Sequence, residues 1–165
     1  GHSISLFADT EGMARQWAAD GRIDVVQVVY SLLNREAATL IRDLSARGIG
    51  VIARESLANG FLTGTVGRDT VFPEGSLNAR YSREEIEARV ERVEELDFLV
   101  RPPVASLPQA ALRWVLDDVG VSSVLTGARN EAEVIDGAMA SELAGFTAAE
   151  SQRAAAVHEY DFSAA

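Results

Sequence analysis

Gly21-Arg22-Ile23-Asp24-Val25-Val26-Gln27-Val28-Val29-Tyr30-Ser31-Leu32-Leu33-Asn34-Arg35 is the stretch on which the fold turns. From Ile23 to Tyr30, Asp24 and Gln27 apart, the residues are apolar and mostly β-branched at odd and even positions alike. That is the pattern of a parallel strand buried on both faces, not of an antiparallel strand with one wet side. Gln27 interrupts the run, and an amide inside an apolar strand needs a hydrogen-bond partner. The strand alone leaves it even whether that partner is a core group or a ligand. Upstream, Ile4-Ser5-Leu6-Phe7 is a shorter apolar run, followed from about Glu11 by a helical stretch in which Met13 and Trp17 share a face and Gly21 takes the C-cap position. Downstream, a helix carrying Ile41 and Leu44 stops at Gly48, and the run Ile49-Gly50-Val51-Ile52-Ala53 follows. A fourth run spans residues 121–125. Strands alternating with amphipathic helices predict an α/β protein with a parallel sheet.

Between the third and fourth runs lies an irregular stretch with Gly60, Gly64, Gly67 and Gly75, long enough to be functional rather than a mere connection. Ser82 and Glu85 have capping-box spacing ahead of an acidic helix with Ile86, Val90 and Val93 on one stripe. The rest of that helix, Arg89 and Arg92 included, reads as a solvated outer face. Ser106 and Gln109 repeat the box before a helix that buries Leu112, Val115 and Trp114. Thr126-Gly127-Ala128 leads to an Asn130 cap with Glu133 three residues on, and Thr147 with Glu150 opens the last helix. No linker or repeat divides residues 1–165, so one domain is expected.

Composition narrows the function classes. With 47% hydrophobic and 24% charged residues, the 165-residue chain has the makings of a packed core. Fifteen basic against twenty-five acidic side chains leave a net charge of -10, which repels phosphate backbones and anionic lipid, so neither nucleic acid nor a membrane surface is an expected partner. No apolar run approaches the roughly 18 residues that span a bilayer. The sequence has no cysteine, hence no disulfide and no thiolate nucleophile, and a cytoplasmic location fits. His2 and His158 are the two histidines, and without a histidine pair or cysteine no metal site is expected. All fifteen basic residues are arginine, which excludes any mechanism that needs a lysine from this chain.

Four parallel strands with helices on one side raise a physical problem. A barrel of this kind takes eight strands and roughly 250 residues, and half of one leaves two unpaired edges and an uncovered apolar face. The expected architecture is therefore α/β, a partial, half TIM-type (β/α)8 barrel of four parallel strands with covering helices, completed by a homodimer or by a companion chain.

From Ile4 to Phe162 the sequence resembles the C-terminal half of the aldo-keto reductases, (β/α)8 barrels that reduce carbonyls with NADPH. Residues 21–35 look like that family's sixth strand and its exit. Gly48-Ile49-Gly50-Val51-Ile52-Ala53-Arg54 with Ser56-Leu57-Ala58-Asn59-Gly60-Phe61-Leu62-Thr63-Gly64 looks like the seventh strand and its cofactor loop, and Val124-Leu125-Thr126-Gly127-Ala128-Arg129-Asn130 like the eighth. The resemblance implies that Ser5 and Gln27 hold a nicotinamide carboxamide and that Arg54 stands at the position that stacks on the nicotinamide. It also implies that Leu57, Ala58, Gly60 and Thr63 lie along the pyrophosphate, and that Gly127, Ala128, Arg129 and Glu133 border the adenosine end. A helix N-terminus beside a guanidinium is a ready anion site; a solvated arginine beside a cap is the plain alternative.

The departures bear on activity. The family's tyrosine, aspartate, lysine and histidine come from its first four strands, which these residues do not include. Catalytic residues are accordingly unassigned, and the chain is expected to be inactive alone as an NADP(H)-dependent reductase. Leu6 stands where an amide is common, and Asp136-Gly137 stands where a Glu-Asn pair is usual. Glu133 would repel a 2′-phosphate, so NADP binding is expected to be weak or lost, with NAD as the alternative. Two other readings stay open. In one, a small-molecule substrate is processed by redox-free lyase, cyclase or isomerase chemistry at Arg54 and Glu55, with Asp9 as a second carboxylate and Tyr30 as a proton donor. In the other, the chain is a noncatalytic assembly module.

Overall fold

The computed structural model describes residues 2–5 and 11–157, residues 4 and 5 by their backbone alone. Its elements run β1 (Ser3–Ser5), α1 (Glu11–Ala19), β2 (Val25–Val29), α2 (Ala38–Ser45), β3 (Gly50–Arg54), α3 (Arg83–Glu94), α4 (Leu107–Leu116), β4 (Ser123–Val124), α5 (Glu131–Met139) and α6 (Ala148–Ala156). Short 3₁₀ turns at Ala58–Thr63 and Leu77–Arg80 break up the long stretch read as irregular, and a third at Asp97–Leu99 follows α3. The strands form one parallel sheet in the order β1-β2-β3-β4. β4 is two residues long, shorter than the apolar run suggests, because Ser122 and Leu125 bond to the backbone of β3 only at its margins.

The two faces of this sheet differ. Val26, Val28, Val51 and Ala53 lie under the helices at 0–1% exposure, whereas the alternate residues Val25, Gln27, Val29, Ile52 and Arg54 are half-buried. A strand read as buried on both sides is thus sealed on one, since all the helical cover in the described residues lies on the face of Val26 and Val51. The core beneath is built from Leu32, Leu40, Ile41, Leu44, Leu96, Leu99 and Val115, with Ala14, Ala110 and Ala111 at 0% where helices approach closely.

Several local readings need correction. The face α1 buries carries Ala14 and Ala18, while Met13 is 44% exposed: the small residues let the helix settle on its neighbours and push methionine to the rim. The Ser82 and Thr147 capping boxes form in full. At Ser106 only half the box does, because the Gln109 side chain bonds Ala105 and Asp136 instead of turning back to its cap. Arg89, assigned to a solvated face, is 6% exposed; at i+3 from Ile86 it belongs to the buried stripe, and aromatic rings receive it there. Asp9, Leu6 and His158 lie outside the described residues. No helix among the described residues is long and apolar enough to cross a membrane.

Candidate functional site

Parallel register sets the first part of the site. Ser5 pairs with Gln27, Gln27 with Ile52 and Ile52 with Ser123, so these positions stand level across the sheet. Cβ direction alternates along a strand, which puts Gln27, Val29, Ile52 and Arg54 together on the half-buried face. Val29 pairs with Arg54 at the carboxyl ends of β2 and β3.

Beyond Arg54 the chain turns sharply. Glu55, Ala58 and Asn59 have φ of 55°, 49° and 54°, left-handed values that non-glycine residues rarely take, and Gly60 follows at 95°. The surroundings hold this backbone in place: Ser56, 2% exposed, donates from Oγ to the Tyr30 carbonyl at 3.1 Å, Phe61 and Leu62 are sunk in the core, and Asn78 Nδ2 donates to the Asn59 carbonyl at 2.8 Å. The loop therefore presents small residues at fixed positions. Its donors are mostly spent, however. Ala58 N–H bonds the Glu55 carbonyl at 2.7 Å, Gly60 N–H the Leu57 carbonyl at 3.0 Å, and Thr63 Oγ1 the Gly60 carbonyl at 2.7 Å. Close approach to Gly60 is open, since a Cβ built there meets nothing within 4 Å.

Arg54 and Glu55 do meet. The Arg54 guanidinium pairs with Glu55 Oε1, and Asn59 Nδ2 donates to Glu55 Oε2 at 3.3 Å. Tyr30 does not join them. Strand alternation turns it to the helix-covered face, where it is 4% exposed, packs on Trp114 at 5.5 Å and donates to Asp118 at 3.0 Å. Burial first and the Asp118 carboxylate second push its hydroxyl well above the ordinary tyrosine range, and with that hydroxyl committed to Asp118 on the covered face it is no proton donor beside Arg54 and Glu55.

At the far end, exposed Gly127-Ala128-Arg129 leads into α5, capped by Asn130. Glu133 occupies this end itself. Its carboxylate accepts the Arg129 backbone N–H at 2.7 Å, the Arg129 guanidinium at 3.0 Å and Asn130 Nδ2 at 3.2 Å. The backbone N–H of Arg129 above all, then its guanidinium, holds Glu133 below the ordinary carboxylate range. Asp136 faces away, accepting Ser106 Oγ and Gln109 Nε2, both at 2.7 Å; it ties α5 to α4.

A cleft of about 100 Å³ opens where the loops after β2 and β3 meet the start of α3. Ser31, Asn34, Glu55, Arg80, Tyr81 and Arg89 line it. Of these only Glu55 was marked by its sequence position. Arg80 lies 4.9 Å from the Tyr81 ring centre and donates to its hydroxyl at 2.8 Å, while Arg89 lies 4.0 Å from the same ring and 5.8 Å from Phe61. Burial pulls the Arg89 guanidinium below its usual value.

Residues 7–159 match the aldo/keto reductase family. Over 120 residues the chain is 32% identical to an NADH-specific methylglyoxal reductase of Escherichia coli (strain K12), covering 69% of this chain and 36% of that protein. It is 26% identical over 152 residues to a probable voltage-gated potassium channel subunit beta of Oryza sativa subsp. japonica, covering 82% and 46%. Among solved structures, the holo form of an aldo-keto reductase from Bacillus halodurans superposes with TM-score 0.66 at 22% identity, over 95% of this chain and 49% of that one. A glycerol dehydrogenase from Gluconobacter oxydans gives 0.75 at 21%, over 95% and 58%. The chain thus spans 36–58% of the length of these proteins. The structural likeness establishes an α/β fold with parallel strands like that of these TIM-barrel proteins, and the match over residues 7–159 settles the larger question: this chain belongs to the aldo/keto reductase family.

Proposed function

We propose that the chain is the dinucleotide-binding half of an aldo/keto reductase barrel, competent in carbonyl reduction only when a companion segment or a second copy supplies the other half. The observation that carries this reading is the half-buried sheet face that runs from Gln27, in the middle of β2, to Arg54 at the carboxyl end of β3, the end at which barrel enzymes place their sites. A nicotinamide bound there supplies a hydride to a carbonyl carbon. Ser5 and Gln27 would hold its carboxamide, Arg54 would lie along the ring, and Leu57, Ala58, Gly60 and Thr63 would border the pyrophosphate. With the Ala58 and Gly60 N–H groups spent inside the loop, smallness of side chain rather than free donors supports that placement. Gly127, Ala128 and Arg129 would border the adenosine.

The residues fit a dinucleotide without a 2′-phosphate better than one with it. Glu133 already satisfies the Arg129 guanidinium, and its charge opposes a phosphate. NADH is therefore the favoured cofactor over NADPH, in keeping with the specificity of the bacterial relative. No lysine in this sequence can assist proton delivery to the carbonyl oxygen, so that task falls to the other half.

Quenching of Trp17 and Trp114 fluorescence tests the reading. Saturable quenching by NADH, weaker by NADPH, is expected, with no carbonyl-dependent oxidation of NADH by the pure chain and turnover on adding the companion half. Failure of both nucleotides to quench, with neither protecting the fold against heat, would overturn it, as would turnover by the monomeric chain alone.

A further inference from the structure

The cleft between the β2 and β3 loops is rich in donors and poor in acceptors. Ser31 is 1% exposed, and its Oγ accepts the Leu33 and Asn34 N–H groups at 3.3 and 3.0 Å. Its own O–H has no acceptor among the described residues. Asn34 spends its Oδ1 on the Glu36 N–H at 3.2 Å, and its Nδ2 likewise has no acceptor among the described residues. Arg80 has no carboxylate within ion-pair distance among the described residues; its one hydrogen bond goes to the Tyr81 hydroxyl. Arg89 adds a second positive charge, held against Tyr81 and Phe61. The lone carboxylate on the wall, Glu55, is engaged by Arg54 at one oxygen and Asn59 at the other. Nearby Glu85 turns its carboxylate back onto the Ser82 N–H at 2.6 Å. In a chain of net charge -10, the wall of this one cleft carries two guanidiniums against a single, already paired carboxylate.

From this convergence we infer that the cleft is a subsite for a small anion, a carboxylate or phosphate group, gripped by Arg80 with Asn34 Nδ2 and the Ser31 hydroxyl and attracted by Arg89. A guanidinium stacked on an aromatic ring is pre-organised for a planar or tetrahedral oxyanion, and a buried hydroxyl proton without an acceptor loses free energy until one arrives. Ala58, set beside the pyrophosphate in the proposed function, also lines this cleft, so the subsite adjoins the dinucleotide seat. It sits on the β2 side of the β3 loop, away from the Arg129 end, so a substrate bearing an acidic group and a free phosphate are its two sources.

Calorimetric titration of the full chain with inorganic phosphate and, separately, with pyruvate, at constant ionic strength, tests the inference. At least one anion is expected to bind saturably with Kd in the range of about 1–10 mM, and the tighter of the two names the source. Arg80→Gln should weaken binding by about tenfold or more, and the exposed surface variant Arg68→Gln should leave it unchanged. Should Arg80→Gln fail to fold, Asn34→Asp serves. Its Oδ1 still accepts the Glu36 N–H, but its charge should abolish binding. No saturable heat with either anion, or wild-type affinity in both Arg80→Gln and Asn34→Asp, would sink the subsite. NADH affinity falling in step with phosphate affinity in these variants would also sink it, making the cleft part of the dinucleotide seat. Phosphate binding without any NADH binding overturns the dinucleotide proposal and supports this one.

Discussion

Glu133 sits three residues into α5, and its carboxylate accepts four hydrogen bonds, three of them from Arg129. Because the carboxylate is held in its charged form there, Arg129 is compensated within the protein before any ligand arrives. Glu133→Gln should release the guanidinium and raise the affinity for NADPH relative to NADH by about tenfold, close to 1.4 kcal/mol; parallel fluorescence titrations that leave the ratio untouched would assign Glu133 to capping alone. Glu150 is the acid-sensitive counterpart. The Thr147 N–H first, then Arg101, lowers its pKa from an ordinary 4.5 to about 2. A depressed carboxylate pKa contributes stability above the unfolded value and loses it as pH falls through the folded one. The thermal midpoint should therefore drop between pH 4.5 and about 2, and Glu150→Gln should flatten that drop. An identical pH profile for the variant would show that the bonds to Glu150 carry no net stability.

Among the elements, α4 and α5 show what short-range patterns reveal and what they miss. The caps at Ser82, Asn130 and Thr147 were legible because a cap depends on residues three apart in sequence. The role of Gln109 was not, since its amide is drawn off by Asp136, 27 residues away. Asp136→Ala would strand the Gln109 amide at 6% exposure together with the Ser106 hydroxyl, and should cost about 1–3 kcal/mol in urea unfolding. A cost within 0.5 kcal/mol would mean that water replaces the carboxylate. Arg89 belongs here too. Its position on the stripe of Ile86, Val90 and Val93 was visible, but charge argued for solvent. Tyr81 and Phe61, which make its burial tolerable, lie on other segments.

Across the whole molecule, the unfinished sheet sets the behaviour. Leu125 beyond β4 and Val134, Ile135 and Met139 on α5 are 46–55% exposed, and the sheet face of Gln27 and Ile52 is only half-buried. Apolar surface in this arrangement favours association. Light scattering should show a mass that rises with concentration over the micromolar range, and Ile135→Arg should lower it; a monodisperse monomer at every concentration would argue that the open face is tolerated in water. Before any homologue is considered, chain chemistry establishes the four strand units, their parallel order and most helix starts, because β-branched runs and caps act over a few residues. Packing alone decides that the Val26 face is the sealed one and that Tyr30 turns from the site. It also decides that Ser31, Asn34, Arg80 and Arg89, spread over nearly 60 positions, meet at one cleft. Such meetings depend on how loops after different strands are held against one another, and no local spacing encodes them.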